Sequence, residues 1–125
     1  MTTSTVSEAP VRSRWHDADD LKWTVRHWAS RLRVPVTQIH LRRMTNKWAS
    51  ISTTGRITLN TELLDLPKDV GEFVIAHELV HLLAPNHGPV FKSFLYAYLP
   101  DWESRQRHLQ MLTTGPSRQS TARTR

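Results

Sequence analysis

The sequence predicts an α+β domain in which helices pack on a small three-stranded sheet. Helix-like spacing of apolar residues towards both ends of the chain, with three short strand-like runs between them, supports this class. The 125 residues are enough for one domain with a modest core. We place this domain at residues 15–112, between two tails (1–14 and 113–125) whose Ser, Thr, Pro and Arg content predicts disorder.

The first predicted helix covers Asp17–Arg33. Its apolar residues recur at the spacing of an amphipathic helix: Leu21, Val25, Trp28 and Leu32. The acidic residues Asp17, Asp19 and Asp20 favour its N-terminus through capping and the helix dipole. Pro35 follows the last turn and ends the helix.

Three short strands are predicted to follow, at Ile39–Met44, Trp48–Ser52 and Ile57–Asn60. Apolar and polar residues partly alternate in the first of them, which is typical of a half-buried strand. The dipeptide Thr54-Gly55 is typical of a tight turn. We therefore expect the second and third strands to form a hairpin.

Three further helices are predicted in the second half of the chain. The first covers about Pro67–Leu83, where a proline near the start is tolerated because that position needs no backbone donor. The next covers Val90–Leu99 and is rich in aromatic residues. The last covers Trp102–Leu112, and Asp101 before it is a predicted N-cap.

The formal charge of +6 lies mostly in the tails. Residues 1–14 carry a net +1 and residues 113–125 a net +3, which leaves about +2 for residues 15–112. Flexible basic tails add a weak, salt-dependent affinity for nucleic acid, although a solvated tail is the simpler interpretation. The net charge of residues 15–112 is too small to predict a nucleic-acid partner.

The chain contains no cysteine, which excludes disulfides, zinc–thiolate sites and a cysteine nucleophile. Residues 1–10 lack the apolar region of a secretory signal peptide. No apolar run approaches the roughly 18 residues of a membrane span. We therefore predict a cytoplasmic protein that does not cross a membrane, and the sequence leaves its oligomeric state open.

The run His77-Glu78-Leu79-Val80-His81 carries the main functional prediction. On a helix, His77 and His81 lie about 40° apart on one face, and Glu78 lies beside that face. Two neutral imidazoles bind Zn²⁺, which lowers the pKa of a bound water to about 7, and the carboxylate takes a proton from that water. The surrounding helix is strongly apolar, so these polar side chains cost desolvation energy unless a partner satisfies them.

His87 is the predicted third zinc ligand. On a continuous helix it would lie roughly 15 Å from His77, so the chain must turn back for both to share a metal. Pro85 disfavours helical geometry in the residue before it, and Asn86 and Gly88 tolerate the left-handed conformations of a tight turn. Three protein ligands leave the fourth position of a catalytic zinc site to water.

Two further sets of residues are candidates for the chemistry. Tyr96 and Tyr98 are candidate oxyanion donors, although aromatic residues in an apolar helix are more often part of the core. Arg43, Lys47 and Arg56 are candidate contacts to phosphate, although a solvated strand face is the simpler interpretation. We therefore expect the tyrosines in the core and the three cations in solvent.

Metal-binding histidines need hydrogen-bond acceptors behind them. Asp65, Asp69 and Asp101 are candidates for this role, and the sequence does not rank them. The remaining histidines lack metal-ligand spacing and are predicted to be ordinary residues: His16, His27, His40 and His108. Trp48 is predicted to anchor the core.

Over residues 39–109, the chain resembles the YgjP-like metallopeptidase-domain family. Four blocks carry the resemblance, in this order: Arg43–Ser52 around Trp48, Ile57–Asn60, the histidine pattern with His87, and Leu99-Pro100-Asp101-Trp102. Two positions depart from the family pattern, since Ala49 stands where Gly is usual and Ile51 where Cys is common. The segment His87–Lys92 is also similar to the segment around the last zinc histidine of SprT-like proteases, which act on DNA-bound proteins.

The resemblance implies a minimal zincin-like fold, with a short strand along the active cleft, and a metal-dependent hydrolase that is most often a peptidase. We therefore predict a zinc-dependent, metallopeptidase-like hydrolase of peptides or proteins, in which Glu78 activates the zinc-bound water. An accessible edge on strand Ile57–Asn60 would allow an extended substrate to pair with it.

Three alternatives stay open. Some members of the family are nucleotide pyrophosphatases, and that activity needs Arg43, Lys47 or Arg56 to converge on the metal. Three imidazoles favour zinc-like metals over Mg²⁺, which counts against this alternative. The second is a SprT-like protease of DNA-associated proteins. The third is a non-catalytic binding module stabilised by a metal, for which Glu78 would be unnecessary.

Overall fold

Four α-helices and a three-stranded sheet make up residues 14–113, the part of the chain that the computed structural model describes. In chain order the elements are α1 (Ala18–Leu32), β1 (Gln38–Arg42), β2 (Ala49–Ile51), β3 (Arg56–Asn60), the 3₁₀ helix η1 (Thr61–Asp65), α2 (Lys68–Val80), α3 (Pro89–Tyr98) and α4 (Trp102–Leu112). The predicted α+β class is confirmed. Within these residues, none of the helices is both long and apolar enough to span a membrane.

The predicted tails lie outside the described residues except at their innermost positions. Arg14 forms an isolated β-bridge with Pro67 at the start of α2. Thr113 is buried, and its hydroxyl donates a hydrogen bond to the carbonyl of Leu109. The folded part of the chain therefore includes these two residues, which the sequence analysis assigned to the tails.

Helix α1 begins and ends as its sequence predicts. The Asp17 side chain accepts a hydrogen bond of 2.9 Å from the backbone N–H of Asp20, which caps the first turn. At the other end, Arg33 adopts a left-handed conformation (φ 58°) and its N–H reaches back to the carbonyls of the last turn. The predicted apolar face is buried along its whole length: Leu21, Val25, Trp28 and Leu32.

Strand β3 lies at the centre of the sheet, whose order is β1-β3-β2. The predicted hairpin is confirmed because β2 pairs with β3 in antiparallel fashion. Strand β1 pairs with β3 in parallel, and no pattern in the sequence predicted this pairing. Because β3 is paired on both sides, the expectation of an accessible edge at Ile57–Asn60 is wrong. The outer strand next to α2 is β2.

Gly55 connects the hairpin to β1. Its φ is +92°, a conformation that favours glycine, and a Cβ there would lie 2.3 Å from the carbonyl oxygen of Pro35. The carbonyl of Gly55 accepts a hydrogen bond of 2.9 Å from the N–H of Thr37. This close contact places the start of β1 beside the start of β3, and so sets the parallel register of Gln38 with Arg56.

Helix α2 is the central element of the core. It contacts α1, α3, α4, β2 and η1, and most of its residues are buried. The sequence predicted that this helix ends at Leu83, but it ends at Val80. The N–H groups of His81, Leu82 and Leu83 bond to carbonyls three residues back instead of four, so the last turn tightens into 3₁₀-like geometry before Pro85.

A hydrogen-bonded ion pair joins α1, α2 and α4. Glu72 of α2 accepts bonds from the indole Nε1 of Trp28 (2.7 Å) and from the guanidinium of Arg105 (2.9 Å). Burial disfavours the charge of Arg105, but its bonds to Glu72 and Asp101 outweigh that effect and raise its pKa further above the usual value. The Asp101 side chain accepts a hydrogen bond from Arg105 (Nε to Oδ1, 3.0 Å) and makes no capping bond to the backbone of α4. The prediction that Asp101 caps this helix through its side chain is therefore wrong.

Gly71 allows Trp15 to pack directly against α2. We expect Gly71→Ala to destabilise the protein, although the same change in an exposed helix stabilises it by about 1 kcal/mol. The added Cβ would lie 2.7 Å from Cζ2 of the buried Trp15 ring, and such overpacking costs about 1–3 kcal/mol. Urea unfolding measures the difference. Gly88→Ala is the control because nothing lies within 4 Å of its Cβ position, and a more stable Gly71→Ala variant would contradict this packing.

Candidate metal centre

His77 and His81 lie on one face of the C-terminal end of α2. Their ring centroids are 5.1 Å apart. The tightened last turn leaves His81 in right-handed helical geometry (φ −62°, ψ −20°), so the four-residue spacing still places both rings together although the helix formally ends at Val80. Both side chains are largely but not fully buried, which leaves the imidazoles accessible from one side.

The turn after α2 returns the chain to these two histidines. The ring centroid of His87 lies 5.1 Å from that of His77 and 4.6 Å from that of His81. The expectation of left-handed residues in this turn is wrong, because in residues 14–113 positive φ values occur at Arg33 and Gly55. Gly88 has φ −91° and serves as the N-cap of α3. The reversal uses the 3₁₀-like turn instead, which needs no glycine.

The three imidazoles form a cluster that fits a tetrahedral metal ion. One ring nitrogen from each of His77, His81 and His87 lies within 4.8 Å of the other two. Zinc–nitrogen bonds of 2.0–2.1 Å in tetrahedral geometry require separations of about 3.4 Å, so small side-chain rotations close the set. A set of three neutral nitrogen donors suits zinc better than the hard cations Mg²⁺ and Ca²⁺.

Phe91 forms the floor of the cluster. Its ring centroid lies 5.1 Å from His77, 4.7 Å from His81 and 4.7 Å from His87, and it is 2% exposed. Phe73 adds a second ring contact to His77 at 5.7 Å. The histidines are therefore held by packing against buried aromatic rings. Phe91 was not among the residues predicted from the sequence, although its position four residues after His87 in an apolar helix was the available signal.

A backbone carbonyl orients His81. Its Nδ1 lies 3.2 Å from the carbonyl oxygen of Pro85, and because a carbonyl only accepts, Nδ1 carries the hydrogen and Nε2 is left for a metal. The three predicted acceptors lie elsewhere: the Asp101 carboxylate binds Arg105, Asp65 lines a cavity beside Trp48, and Asp69 is in the first turn of α2, at the opposite end of that helix from the histidines. The acceptor is a backbone carbonyl, and no residue type in the sequence marks which carbonyl will face a histidine.

Glu78 lies beside the cluster. Its Oε2 is 3.6 Å from Nδ1 of His77, and the carboxylate is 18% exposed. This places an acceptor for protons at the rim of the histidine cluster, where it can meet a water that approaches from solvent. The position agrees with the helical-wheel expectation that Glu78 flanks the histidine face.

The described contacts of the two candidate tyrosines lie away from the histidines. The Tyr96 hydroxyl hydrogen-bonds to Glu103, which raises the pKa of Tyr96, and its ring contacts Trp102 at 5.4 Å. The Tyr98 ring lies 5.6 Å from the guanidinium of Arg31 on α1. These contacts assign both tyrosines to the packing of α3 against its neighbours. Tyr98 is half-buried against the core, whereas Tyr96 is 47% exposed, so the expectation that both tyrosines lie in the core is wrong for Tyr96.

The three candidate phosphate ligands lie on the sheet and the loop beside it. Arg43 approaches Glu62 of η1 at 3.8 Å and is 80% exposed. Arg56 donates a hydrogen bond from Nε to Gln38 on β1, and Lys47 is exposed. These described contacts place the cations on the surface of the sheet, with none of them directed at the histidines.

Comparison with known proteins gives one family match and two solved structures. The model of the family described as YgjP-like, metallopeptidase domain, matches residues 9–111. The metallopeptidase zymogen abylysin of Pyrococcus abyssi is 20% identical and superposes with a TM-score of 0.65, covering 74% of this chain and 93% of that chain. The metallopeptidase zymogen jannalysin of Methanocaldococcus jannaschii is 26% identical, with a TM-score of 0.63 and the same coverage. Among curated proteins, none matches the chain.

Proposed function

The chain belongs to the YgjP-like metallopeptidase-domain family, and on this premise we propose that it is a zinc-dependent peptidase with its active centre at His77, His81, His87 and Glu78. The observation that carries this proposal is the convergence of three imidazoles, whose ring nitrogens lie within 4.8 Å of one another, beside a carboxylate on the same helix. The family supports a peptidase-type hydrolase in general terms. The zinc ion, its ligands and the role of Glu78 are our inference from the donor set.

In this proposal the three histidines hold the metal and Glu78 moves the proton. When bound, zinc supplies a Lewis acid that polarises the scissile carbonyl and lowers the pKa of water. Glu78 accepts a proton from the attacking water and then delivers it to the leaving amine, for which its position at the rim of the cluster is suitable. The bond from His81 Nδ1 to Pro85 fixes the tautomer that presents Nε2.

The outer strand β2 is the candidate binding edge for the substrate backbone. It contacts α2, the helix that carries His77, and one of its edges pairs with β3, while its other edge has no strand partner within residues 14–113. A peptide in extended conformation would add to this edge as a further strand, with main-chain hydrogen bonds that do not depend on its sequence. This replaces β3, which the sequence analysis had proposed for the same role.

The other activities considered from the sequence receive less support. In the described residues, Arg43 and Arg56 contact Glu62 and Gln38, so the convergence of cations that a nucleotide pyrophosphatase needs is not observed. A purely structural metal site would not need a carboxylate beside its ligands. A protease of DNA-associated proteins differs from our proposal only in its substrate.

An activity screen of the full chain tests the proposal. We expect the zinc-loaded protein to cleave an unfolded protein, to lose this activity on treatment with a chelator, and to regain it with added zinc, because three neutral imidazoles bind the metal reversibly. Nucleoside triphosphates and a DNA-bound protein are assayed in parallel. Hydrolysis of nucleotides without any proteolysis would contradict the peptidase, and activity that resists the chelator would contradict the metal.

A further inference from the structure

Basic and acidic residues are segregated along the folded chain. Residues 21–61 contain eight lysines and arginines and no aspartate or glutamate: Lys22, Arg26, Arg31, Arg33, Arg42, Arg43, Lys47 and Arg56. The rest of residues 14–113 carries five basic and ten acidic residues. The small net charge of the domain therefore conceals a segment of +8 beside segments that total −5.

One face of the sheet presents part of this charge to solvent. On β1, Gln38, His40 and Arg42 are exposed, while the alternate residues face the core. On β3, Arg56 is exposed, whereas Ile57 and Leu59 are fully buried. The three strands contain no acidic residue, so nothing within the sheet neutralises these side chains.

The cations cluster at the two ends of this face, and both ends are held in place. At one end, Gln38 is in register with Arg56 and accepts a hydrogen bond of 3.0 Å from its Nε. At the other end, Arg42 is in register with Asn60, whose side-chain amide donates to the carbonyls of Met44 (2.9 Å) and Lys47 (2.8 Å).

The Asn60 bonds fix the loop that carries Arg43 and Lys47. From Gln38 to Arg42 the strand advances four residue steps, so the two ends lie about 13 Å apart at 3.3 Å per step. Arg43 remains 80% exposed despite its approach to Glu62.

We propose that this basic sheet face, defined as Arg42, Arg43, Lys47 and Arg56, binds the phosphate backbone of nucleic acid without sequence preference. Cations held about 13 Å apart can contact separate phosphates of one polyanion, because each strand of duplex DNA carries a phosphate about every 3.4 Å of helix axis. Polar His40 lies between the two ends, and Gln38 at one end keeps its side-chain NH₂ group as a further donor to phosphate, because its Oε1 is the atom that accepts from Arg56. This function is additional to the proposed hydrolysis and does not depend on it.

Two other polyanionic or acidic partners fit the face less well. A membrane surface is bound through apolar anchors together with basic residues, and the exposed positions of β1 and β3 carry no apolar side chain. A protein partner usually buries an aromatic or aliphatic anchor at the centre of the interface, and none is present on this face of the strands. The observations therefore favour nucleic acid, for which phosphate contacts alone supply affinity.

Fluorescence anisotropy of the full chain with a labelled 20-nucleotide single-stranded DNA, and with the same DNA as a duplex, tests this inference across a series of salt concentrations. We compare Arg42→Glu/Arg56→Glu with Lys92→Glu/Arg107→Glu, which reverses two exposed charges on α3 and α4. Both variants keep the tails and have equal net charge. We expect the sheet variant to bind at least about tenfold more weakly than the control, with a salt slope smaller by about 1.4 on the single strand.

Three results would overturn the inference. The first is an absence of salt-dependent binding by the unmodified protein. The second is an equal loss of affinity in both variants, which would assign binding to overall charge or to the tails. The third is complete displacement of the DNA by a nucleoside triphosphate at equal phosphate concentration, which would indicate a site for a small phosphate compound. Circular dichroism confirms that each variant is folded.

Discussion

Glu78→Gln is expected to lower kcat for protein cleavage by about 10²–10⁴-fold while the protein retains its zinc. Glutamine has nearly the same shape as glutamate but cannot accept a proton. Zinc should be retained because the proposed metal ligands are the three histidines and not Glu78. The measurements are turnover of the protein substrate and metal content of the purified variant. Because the change removes a step of the reaction rather than a binding contact, KM should change much less than kcat.

Glu103→Gln is the matched control, since Glu103 is an exposed glutamate on α4 whose described contact is with Tyr96. It should leave turnover unchanged. Substantial turnover by Glu78→Gln would remove this residue from the mechanism. Loss of zinc from Glu78→Gln would instead mean that the carboxylate helps to hold the metal, and the assignment of ligands would need revision.

Arg105→Met is expected to destabilise the protein by about 2 kcal/mol, which corresponds to a fall in Tm of about 10 °C for a domain of this size. The methionine retains the packing of the side chain, but Glu72 would keep only the bond from Trp28 and would stay partly buried with an unpaired charge. The loss of stability should be smaller than for a fully buried ion pair, because Glu72 is 31% exposed and water can partly solvate its charge. Thermal unfolding measures the change.

Arg107→Met provides the comparison, because Arg107 is exposed on the same helix two residues away. Its loss should change the free energy of unfolding by less than about 0.5 kcal/mol. Combining Arg105→Met with Glu72→Gln should restore part of the stability, since the second change removes the unpaired charge. Equal destabilisation by Arg105→Met and Arg107→Met would show that the ion pair contributes nothing specific.

Local sequence patterns predicted the helices and the hairpin but not how the sheet is assembled. The spacing of Leu21, Val25 and Trp28 determines which face of α1 is buried, and the Thr54-Gly55 turn joins neighbours in sequence. The parallel pairing of β1 with β3 depends instead on a contact between Pro35 and Gly55, which are far apart along the chain. No periodicity within either strand encodes that contact, and so the central position of β3 was missed.

The site shows the same division. The clustering of His77, His81 and His87 was predicted because it follows from side-chain identity and spacing. The carbonyl of Pro85 and the ring of Phe91 were missed because their contacts with the histidines depend on where the backbone turns and how α3 packs. The charged face of the sheet was missed for another reason. Averaging charge over the domain hides the segment 21–61, which contains no acidic residue, and the fold is needed to show which of its cations share one face of the sheet.

The three histidines differ in how firmly the protein holds them. His77 and His81 belong to the end of the helix at the centre of the core, whereas His87 is exposed in the loop between α2 and α3. Buried central helices open only with global unfolding, while exposed loops open at little free-energy cost. A metal ion held by all three would therefore enter and leave through the loop, with His87 as the first ligand to detach, so the rate of metal exchange would be set by the loop and not by the stability of the fold.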